Sequence, residues 1–147
     1  MHTILAALDF SDVTDPLLDQ ARLLAKKLGS RLYLVHVADP DPYFVGDAIG
    51  PKDVRNEVAH RYREEHQRLA ELVDALHTHE IDSHALLIGG PAADKIVKEA
   101  ERLEADLILV GSHRRGSLRK SLLGSVSEGI LQQAPCPVLI VPAPETS

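Results

Sequence analysis

The sequence predicts an α/β fold of the doubly wound class: a five-stranded parallel sheet with helices on both faces. Three observations predict it. Apolar runs of four to eight residues alternate with longer segments whose apolar residues recur at helical spacing. Each run is nearly continuous, as in strands that are buried on both faces. A helix-like segment separates every pair of runs, and right-handed crossovers then place the helices on the two faces of one sheet.

The first two strands and the helix between them are marked by periodicity and by one glycine. Residues 3–9 form an apolar run that ends in an acid, and residues 13–28 carry apolar side chains at helical spacing. Gly29 follows, as expected after a helix, because glycine adopts a left-handed conformation without strain. Residues 31–38 predict the second strand. Residues 39–51 contain three prolines and two glycines, and we expect a long loop there, a candidate lid.

The same alternation continues to the end of the chain. A charged segment at 53–79 has an apolar stripe that predicts a long surface helix. Pro91 begins the next helix-like segment, as proline does at helix starts. No internal repeat or linker is visible, so we expect residues 1–147 to form a single domain. The remaining strands are predicted at 83–88, 106–110 and 138–141, and the last helix at 125–133.

Composition limits the class of protein. The chain has 147 residues, of which 44% are hydrophobic, enough for one domain with a sizeable core. Its net charge of -6 argues against nucleic-acid binding, which depends on excess lysine and arginine. No apolar run approaches the roughly 20 residues that span a bilayer, and no secretion signal begins the chain, so we expect a cytosolic protein. Cys136 is the only cysteine, so the chain cannot form an internal disulfide. We expect its thiol to pack against neighbouring residues and not to react.

A basic, glycine-bearing loop after the fourth strand is the most informative segment for function. Four of the 16 lysines and arginines of this acidic chain lie within residues 114–120. Glycine allows a backbone to approach a ligand closely, and the amides at the start of the next helix, at Gly124 and Ser125, favour anions. We therefore expect this loop to hold phosphate groups. Its residues are Val110, Gly111, His113, Arg114 and Gly116.

The predicted topology places an acid opposite this loop. In doubly wound sheets a ligand lies beyond the carboxyl ends of the strands, where the winding reverses, and the first strand commonly lies there. Asp9 ends that strand, and its carboxylate accepts hydrogen bonds from sugar hydroxyls in the nucleotide site that we predict. Each of these two residues also has an alternative role that involves no ligand. Asp9 would cap the first helix or begin a turn. Ser125 would cap the last helix in a capping box with Glu128.

Several motifs in the same order resemble the universal stress protein family. The family signature after the fourth strand is Gly-x2-Gly-x9-Gly-(Ser/Thr), and this chain has Gly111, Arg114, Gly124 and Ser125 at those positions. The resemblance covers essentially the whole chain. Further matching segments are Ile4-Leu5, Asp9-Phe10-Ser11, Val35-His36-Val37, Gly89-Gly90-Pro91 and Ala134-Pro135-Cys136-Pro137.

The resemblance implies a cytosolic homodimer that, in one branch of the family, binds ATP, with magnesium held through the phosphates. It places the ribose on the acid after the first strand, the adenine on Val37, and the phosphates on the start of the last helix. The residues implied in nucleotide binding are Ala7, Leu8, Asp9, Val37, Val110, Gly111, His113, Gly124, Ser125, Val126 and Ser127, to which Arg114 and Gly116 are added.

Arg114 departs from the signature, which has glycine at this position. Its side chain either crowds a phosphate or offers a guanidinium fork to it, and Gly116 supplies flexibility two residues later. Two functions follow. The first is a regulatory module in which ATP stabilises one conformation of the 39–51 loop. The second is an interaction protein of the same family that binds no nucleotide.

An ATP-hydrolysing enzyme is a third possibility, from which we expect at most slow turnover. The chain lacks the Gly-Lys-(Ser/Thr) sequence of P-loop enzymes, and no serine, histidine and acid combine into a credible set. His113 is expected to contact phosphate or solvent rather than act as a base. A response-regulator receiver is excluded, because Ile88 and two glycines replace its phospho-acceptor acid. His77 and His79 point to different helix faces and predict no metal site.

The fifth strand predicts a contact between two copies of the chain. It is apolar and carries no charge that would protect an open sheet edge. Pairing with the same strand of a second copy covers this edge on a two-fold axis, and the resemblance implies such a dimer. The strand consists of Val138, Leu139, Ile140 and Val141.

Overall fold

Strands and helices alternate along the part of the chain that the computed structural model describes, residues 2–9, 13–38, 52–112 and 124–142. The observed bounds lie within one residue of the predicted ones, a difference that is usual at the ends of elements. The elements are β1 (Thr3–Leu8), α1 (Thr14–Leu28), β2 (Arg31–Ala38), α2 (Lys52–Thr78), β3 (Ser83–Gly89), α3 (Ala92–Arg102), β4 (Leu107–Gly111), α4 (Ser125–Gln133) and β5 (Val138–Val141).

The strands form one parallel sheet in the order β3-β2-β1-β4-β5. β1 lies at the centre and pairs with β2 on one side and β4 on the other. The order therefore reverses between β1 and β4, which makes this the switch point of a doubly wound fold. The predicted fold class is confirmed.

Helices cover both faces of the sheet because successive side chains of each strand point to opposite sides. Ile4 and Ala6 of β1 pack on the face of α1 and α2, whereas Leu5 between them packs on the face of α3 and α4. The first core also contains Leu17, Ala21, Leu32, Leu34, Leu69, Leu76 and Leu109; the second also contains Val35, Ile96, Ala100, Ile108, Val110 and Ile130.

Two local features hold α1 and β1 in place. Gly29 ends α1 in the left-handed conformation (φ 62°), as predicted, and its amide donates a hydrogen bond to the Ala25 carbonyl. At the amino edge of the sheet, Oδ2 of Asp106 accepts hydrogen bonds from the amides of His2 (2.7 Å) and Thr3 (3.0 Å). This carboxylate ties the start of β1 to the segment that enters β4.

Among the helices in the described ranges, none combines the length and apolar character needed to cross a membrane.

Candidate functional site

The strands β1 and β4 separate before they end. Their residue pairing stops at Ala6 with Leu109, whereas β1 continues to Leu8 and β4 to Gly111. On their other sides, β1 stays paired with β2 and β4 with β5 up to these last residues. A crevice therefore opens at the carboxyl edge of the sheet, at the switch point where a ligand is expected.

Three of the predicted site residues share the face of the sheet that α3 and α4 cover. Ala7 and Val37 are partly buried there, and Val110 belongs to the core of the same face. Leu8 points the other way and is buried against α1 and α2, so it offers backbone rather than side chain to this site. Asp9 is exposed directly beyond the end of β1. The crevice thus has an apolar wall with a carboxylate at its rim.

Gly111 is required by packing within the protein. A Cβ at this position would collide with Cγ1 of Val13 and lie 2.8 Å from its Cγ2. Val13 is itself buried, immediately before α1. Packing against a valine of the same chain is thus one reason for glycine at this position. The expected close approach of its backbone to a ligand stays a prediction.

The start of α4 is fixed to the end of β4. Ser127 is buried, and its hydroxyl donates a hydrogen bond to the Gly111 carbonyl over 3.2 Å. Gly124 is the N-cap, in an extended conformation, and its carbonyl accepts the hydrogen bond from the Glu128 amide at 3.0 Å. Helix geometry leaves the first amides, including those of Ser125 and Val126, without acceptors inside the helix. These two residues are exposed and present an anion-favouring helix end.

Both capping alternatives are wrong. Ser125 is the first residue inside α4 and not its N-cap, so it cannot form the capping box with Glu128, which requires the serine at the N-cap. Asp9 does not cap α1, because Val13 is the N-cap and Thr14 begins the helix. A turn beginning at Asp9 would involve residues outside the described ranges.

Some predicted residues cannot be placed against this geometry. His113, Arg114 and Gly116, together with the 39–51 segment, lie outside the described residues. The other predicted nucleotide-binding residues belong to β1, β2, β4 and the first turn of α4 or lie directly beside them. The structure places them around the carboxyl edge of the sheet.

Sequence reasoning missed a close pair of polar side chains on the face of the sheet that α1 and α2 cover. The ring Nδ1 of His36, on β2, lies 2.8 Å from the Leu8 carbonyl, and its Nε2 lies 3.3 Å from Oε2 of Glu65 on α2. Glu65 precedes Leu69 by one helical turn and so extends the apolar stripe of α2. A glutamate on the inward side of a helix, together with a histidine inside an apolar strand, was the available signal.

A cleft of about 590 Å³ lies at the opposite, amino edge of the sheet, and its polar lining includes His2, Lys26, Arg31 and Asp82. Arg31 donates a hydrogen bond to Asp82 over 2.9 Å, and this bond lowers the pKa of the Asp82 carboxyl. α1 ends beside this cleft, with Gly29 in its lining, and the carbonyl end of a helix disfavours anions. The amino edge is therefore a poorer place for phosphate than the crevice.

Three known proteins are similar to this chain along most of its length. A universal stress protein of Methanocaldococcus jannaschii, MJ0531, is 32% identical over 138 residues, which are 93% of this chain and 79% of that protein. One from Thermus aquaticus is 33% identical over 141 residues, covering 95% of this chain and 97% of that one. The solved structure of MJ0577 superposes with a TM-score of 0.79 at 25% identity, covering 99% of this chain and 98% of that one.

Two further solved structures share the fold at lower identity. A universal stress protein in complex with cAMP has a TM-score of 0.71 at 22% identity, covering 97% of this chain and 98% of that one. A universal stress protein from Archaeoglobus fulgidus in complex with dAMP has a TM-score of 0.64 at 23% identity, covering 96% and 98%. The sequence model described as the universal stress protein family matches residues 1–142. This chain therefore belongs to the universal stress protein family.

Proposed function

We propose that this protein is a stress-response regulator that binds ATP, with magnesium, in the crevice between β1 and β4 and hydrolyses it slowly or not at all. The observation that carries the proposal is the early separation of β1 and β4 beside the amino end of α4, which Ser127 fixes to Gly111. An open crevice at the switch point and an anion-favouring helix end meet at one edge of the sheet.

The residues around the crevice fit the parts of a nucleotide. The exposed carboxylate of Asp9 suits ribose hydroxyls, which donate hydrogen bonds to it. Ala7 and Val37, partly buried on the α4 side, offer an apolar surface for adenine. The amides of Ser125 and Val126 suit phosphate oxygens. Magnesium would be held through the phosphates, so the proposal assigns it no protein ligand.

Two relatives of the same fold support the class of ligand. Their structures hold cAMP and dAMP, and both of these molecules are adenine nucleotides. The triphosphate is our own extension. It rests on the basic stretch at 114–120, whose positive charge stands out in a chain of net charge -6.

Calorimetric titration with MgATP tests the proposal. We expect the wild type to bind, and Asp9→Asn to bind about tenfold more weakly, because an amide oxygen accepts the hydrogen bond from the ribose without the charge of the carboxylate. Asp15→Asn is the matched control, since Asp15 is an exposed acid in the first turn of α1, and it should bind as the wild type does. No heat of binding at millimolar ATP would contradict the proposal and favour the nucleotide-free interaction protein. In the hydrolysis assay we expect little or no loss of ATP after overnight incubation, and complete retention would remove the enzyme hypothesis.

We also propose a homodimer that forms through β5. This strand is at the edge of the sheet, paired with β4 on one side. Leu139 is 38% exposed, and Val138 and Ile140 are only partly buried. A short apolar edge strand is stabilised by pairing with a second copy.

We also propose a cytosolic location. Disulfides are rare in the cytosol, and Cys136 has no second cysteine with which to form an internal one.

A further inference from the structure

The strand β3 forms the edge of the sheet opposite to β5, and its outer side pairs with no strand in the described part of the chain. Its middle residues, 85–88, are apolar and partly exposed, whereas Leu34 and Val35 on the neighbouring strand β2 are fully buried. From Ser83 to Gly89 the sequence contains no proline and no permanently charged residue. Such residues protect the edge strands of many proteins from pairing with other chains. The edge at β3 lacks this protection.

The hydrogen bonds to β2 show which backbone groups of β3 face outward. The amide of Leu32 donates a hydrogen bond to the Asp82 carbonyl at 2.8 Å, so the even-numbered residues of β3 direct their amides and carbonyls toward β2. Alternate residues direct these groups to opposite edges, and those of Ala85 and Leu87 therefore face outward. Within the described ranges, these outward groups have no hydrogen-bond partner. The open edge thus presents unpaired donors and acceptors.

A two-fold axis through Leu86 pairs the whole strand with its own copy. Leu86 is the middle residue of β3, so an antiparallel copy turned about it places Ala85 opposite Leu87 of the second copy. The backbone groups of these two residues face outward, and in such a pair each amide donates a hydrogen bond to the opposite carbonyl. Leu86 lies opposite its own counterpart. Apolar side chains therefore meet apolar side chains across the axis, which stabilises the pairing of two strands.

The charges near the two ends of β3 suit the same register. Asp82 directly precedes the strand, is 57% exposed, and comes to lie opposite Gly90 of the second copy. The side chain of Lys95 lies over Gly90, with its Cε 2.8 Å from the position of an added Cβ, and it makes no ion pair among the described residues. Asp82 shares the face of Leu86, which α3 covers, and Lys95 belongs to α3. The carboxylate, which also binds Arg31 of its own chain at 2.9 Å, therefore meets a second cation.

We propose that β3 is a self-pairing edge at which two copies of this chain join antiparallel about Leu86. The inference is independent of the nucleotide site. The contact is narrow, one strand against another, so we expect association at about 0.1 to 1 mM, weaker than the dimer that we propose through β5. With pairing at both edges, copies would add in an open row, because each copy then offers a free edge to the next.

Sedimentation of Leu139→Lys at rising concentration isolates this contact, because the substitution removes the proposed pairing of β5. We expect this protein to be monomeric at micromolar concentration and dimeric at about 1 mM. Adding Ala85→Pro removes an outward amide, which an edge strand tolerates, and should weaken the association about tenfold. A Leu139→Lys protein that stays monomeric at about 1 mM would overturn the inference, as would an association that Ala85→Pro leaves unchanged.

A charge reversal in the same Leu139→Lys protein tests the register. Asp82→Lys should weaken the association about tenfold, because it places a lysine beside Lys95 of the second copy, and the further substitution Lys95→Asp should restore it. Asp19→Lys makes the same charge change at an exposed position of α1 and should have no effect. Failure of Lys95→Asp to restore the association would contradict the two-fold register. These variants leave the backbone intact, so they decide the case even if Ala85→Pro does not fold.

Hydrogen exchange, measured for single amides by NMR, locates the contact without a substitution in β3. In the Leu139→Lys protein, the amides of Ala85 and Leu87 should exchange several times more slowly at about 1 mM than at about 0.05 mM. The amide of Leu86 faces β2 and should exchange slowly at both concentrations. Equal exchange of Ala85 and Leu87 at the two concentrations would exclude pairing at this edge. If the wild type does not dimerise through β5, that proposal alone fails, since these measurements report on β3.

Discussion

Val13, just before α1, packs on Gly111, the last residue of β4, so closely that no side chain fits at position 111. The contact joins the start of the first helix to the strand end that borders the crevice. The Ser127 hydroxyl also donates a hydrogen bond to the Gly111 carbonyl. Gly111 is therefore held by α1 on one face of the sheet and by α4 on the other. The edge of the proposed site is therefore built by packing that needs no ligand.

Gly111→Ala should destabilise the protein by about 1 to 3 kcal/mol, because the new methyl group overpacks against Val13. Urea unfolding measures the change. Gly89→Ala is the matched control: Gly89 also ends a strand, but no heavy atom lies within 4 Å of an added Cβ. Adding Val13→Ala to Gly111→Ala should restore part of the loss. Equal stabilities of the two alanine variants would contradict this account.

Ser127→Ala should cost about 1 kcal/mol of folding free energy, since it leaves the Gly111 carbonyl without this hydroxyl donor. Ser125→Ala, at an exposed position in the same turn, should change stability by less than about 0.5 kcal/mol. Chemical denaturation gives both values. If the two serine variants lose the same stability, the bond to β4 does not anchor α4.

Asp106 should make folding stability depend on acid pH. The amides of His2 and Thr3 hold the pKa of its carboxyl below the ordinary value in the folded state. A depressed folded pKa means that the contribution is complete above the unfolded pKa, about 3.9, and is lost as the pH falls through the folded pKa. Asp106→Asn should therefore lose stability at neutral pH and differ less from the wild type in acid.

Urea unfolding at neutral and acid pH measures this difference. Asp74→Asn, an exposed acid on α2, serves as the control and should follow the wild type at both values. If the difference in free energy of unfolding between Asp106→Asn and the wild type is the same at both pH values, the charged carboxylate does not stabilise the start of β1.

Leu139→Lys should convert the proposed dimer to monomer, because a charge on the exposed edge opposes pairing of two β5 strands. Leu23→Lys is the control, since Leu23 is a 47% exposed leucine that belongs to α1 and not to the edge strand. Sedimentation at micromolar concentration distinguishes the two states. A wild type that is already monomeric there, or a Leu139→Lys variant that stays dimeric, would exclude β5 as the contact.

The sequence was sufficient for the elements and their order because periodicity is a local property. Gly29 illustrates this: its place after the apolar stripe of α1 predicts a helix end, and the structure has it left-handed. The neighbouring positions of β1 and β4 also followed, since doubly wound sheets have few possible windings.

Long-range packing explains what sequence reasoning missed. Gly111 was expected to approach a ligand, which stays a prediction, but its tight packing on Val13 was not foreseen, because Val13 lies far away in sequence and close in space. The pairing of His36 with Glu65 depends on how α2 docks on the sheet, and that docking sets which turn of the helix meets β2. The capping box was predicted with Ser125 as the N-cap, but the N-cap is Gly124, one residue earlier. The start of a helix depends on the preceding loop as well as on residue type.

The central position of β1 also has a consequence for how the chain is made. β1 is made well before β4, which pairs with one of its two edges, and Thr3 and Asp106 are 103 residues apart in sequence. During synthesis that edge stays uncovered until β4 has been made. Bare apolar strand edges invite pairing with other chains. Folding of this sheet during synthesis therefore leaves one edge of β1 open to mispairing for the time it takes to make about 100 further residues.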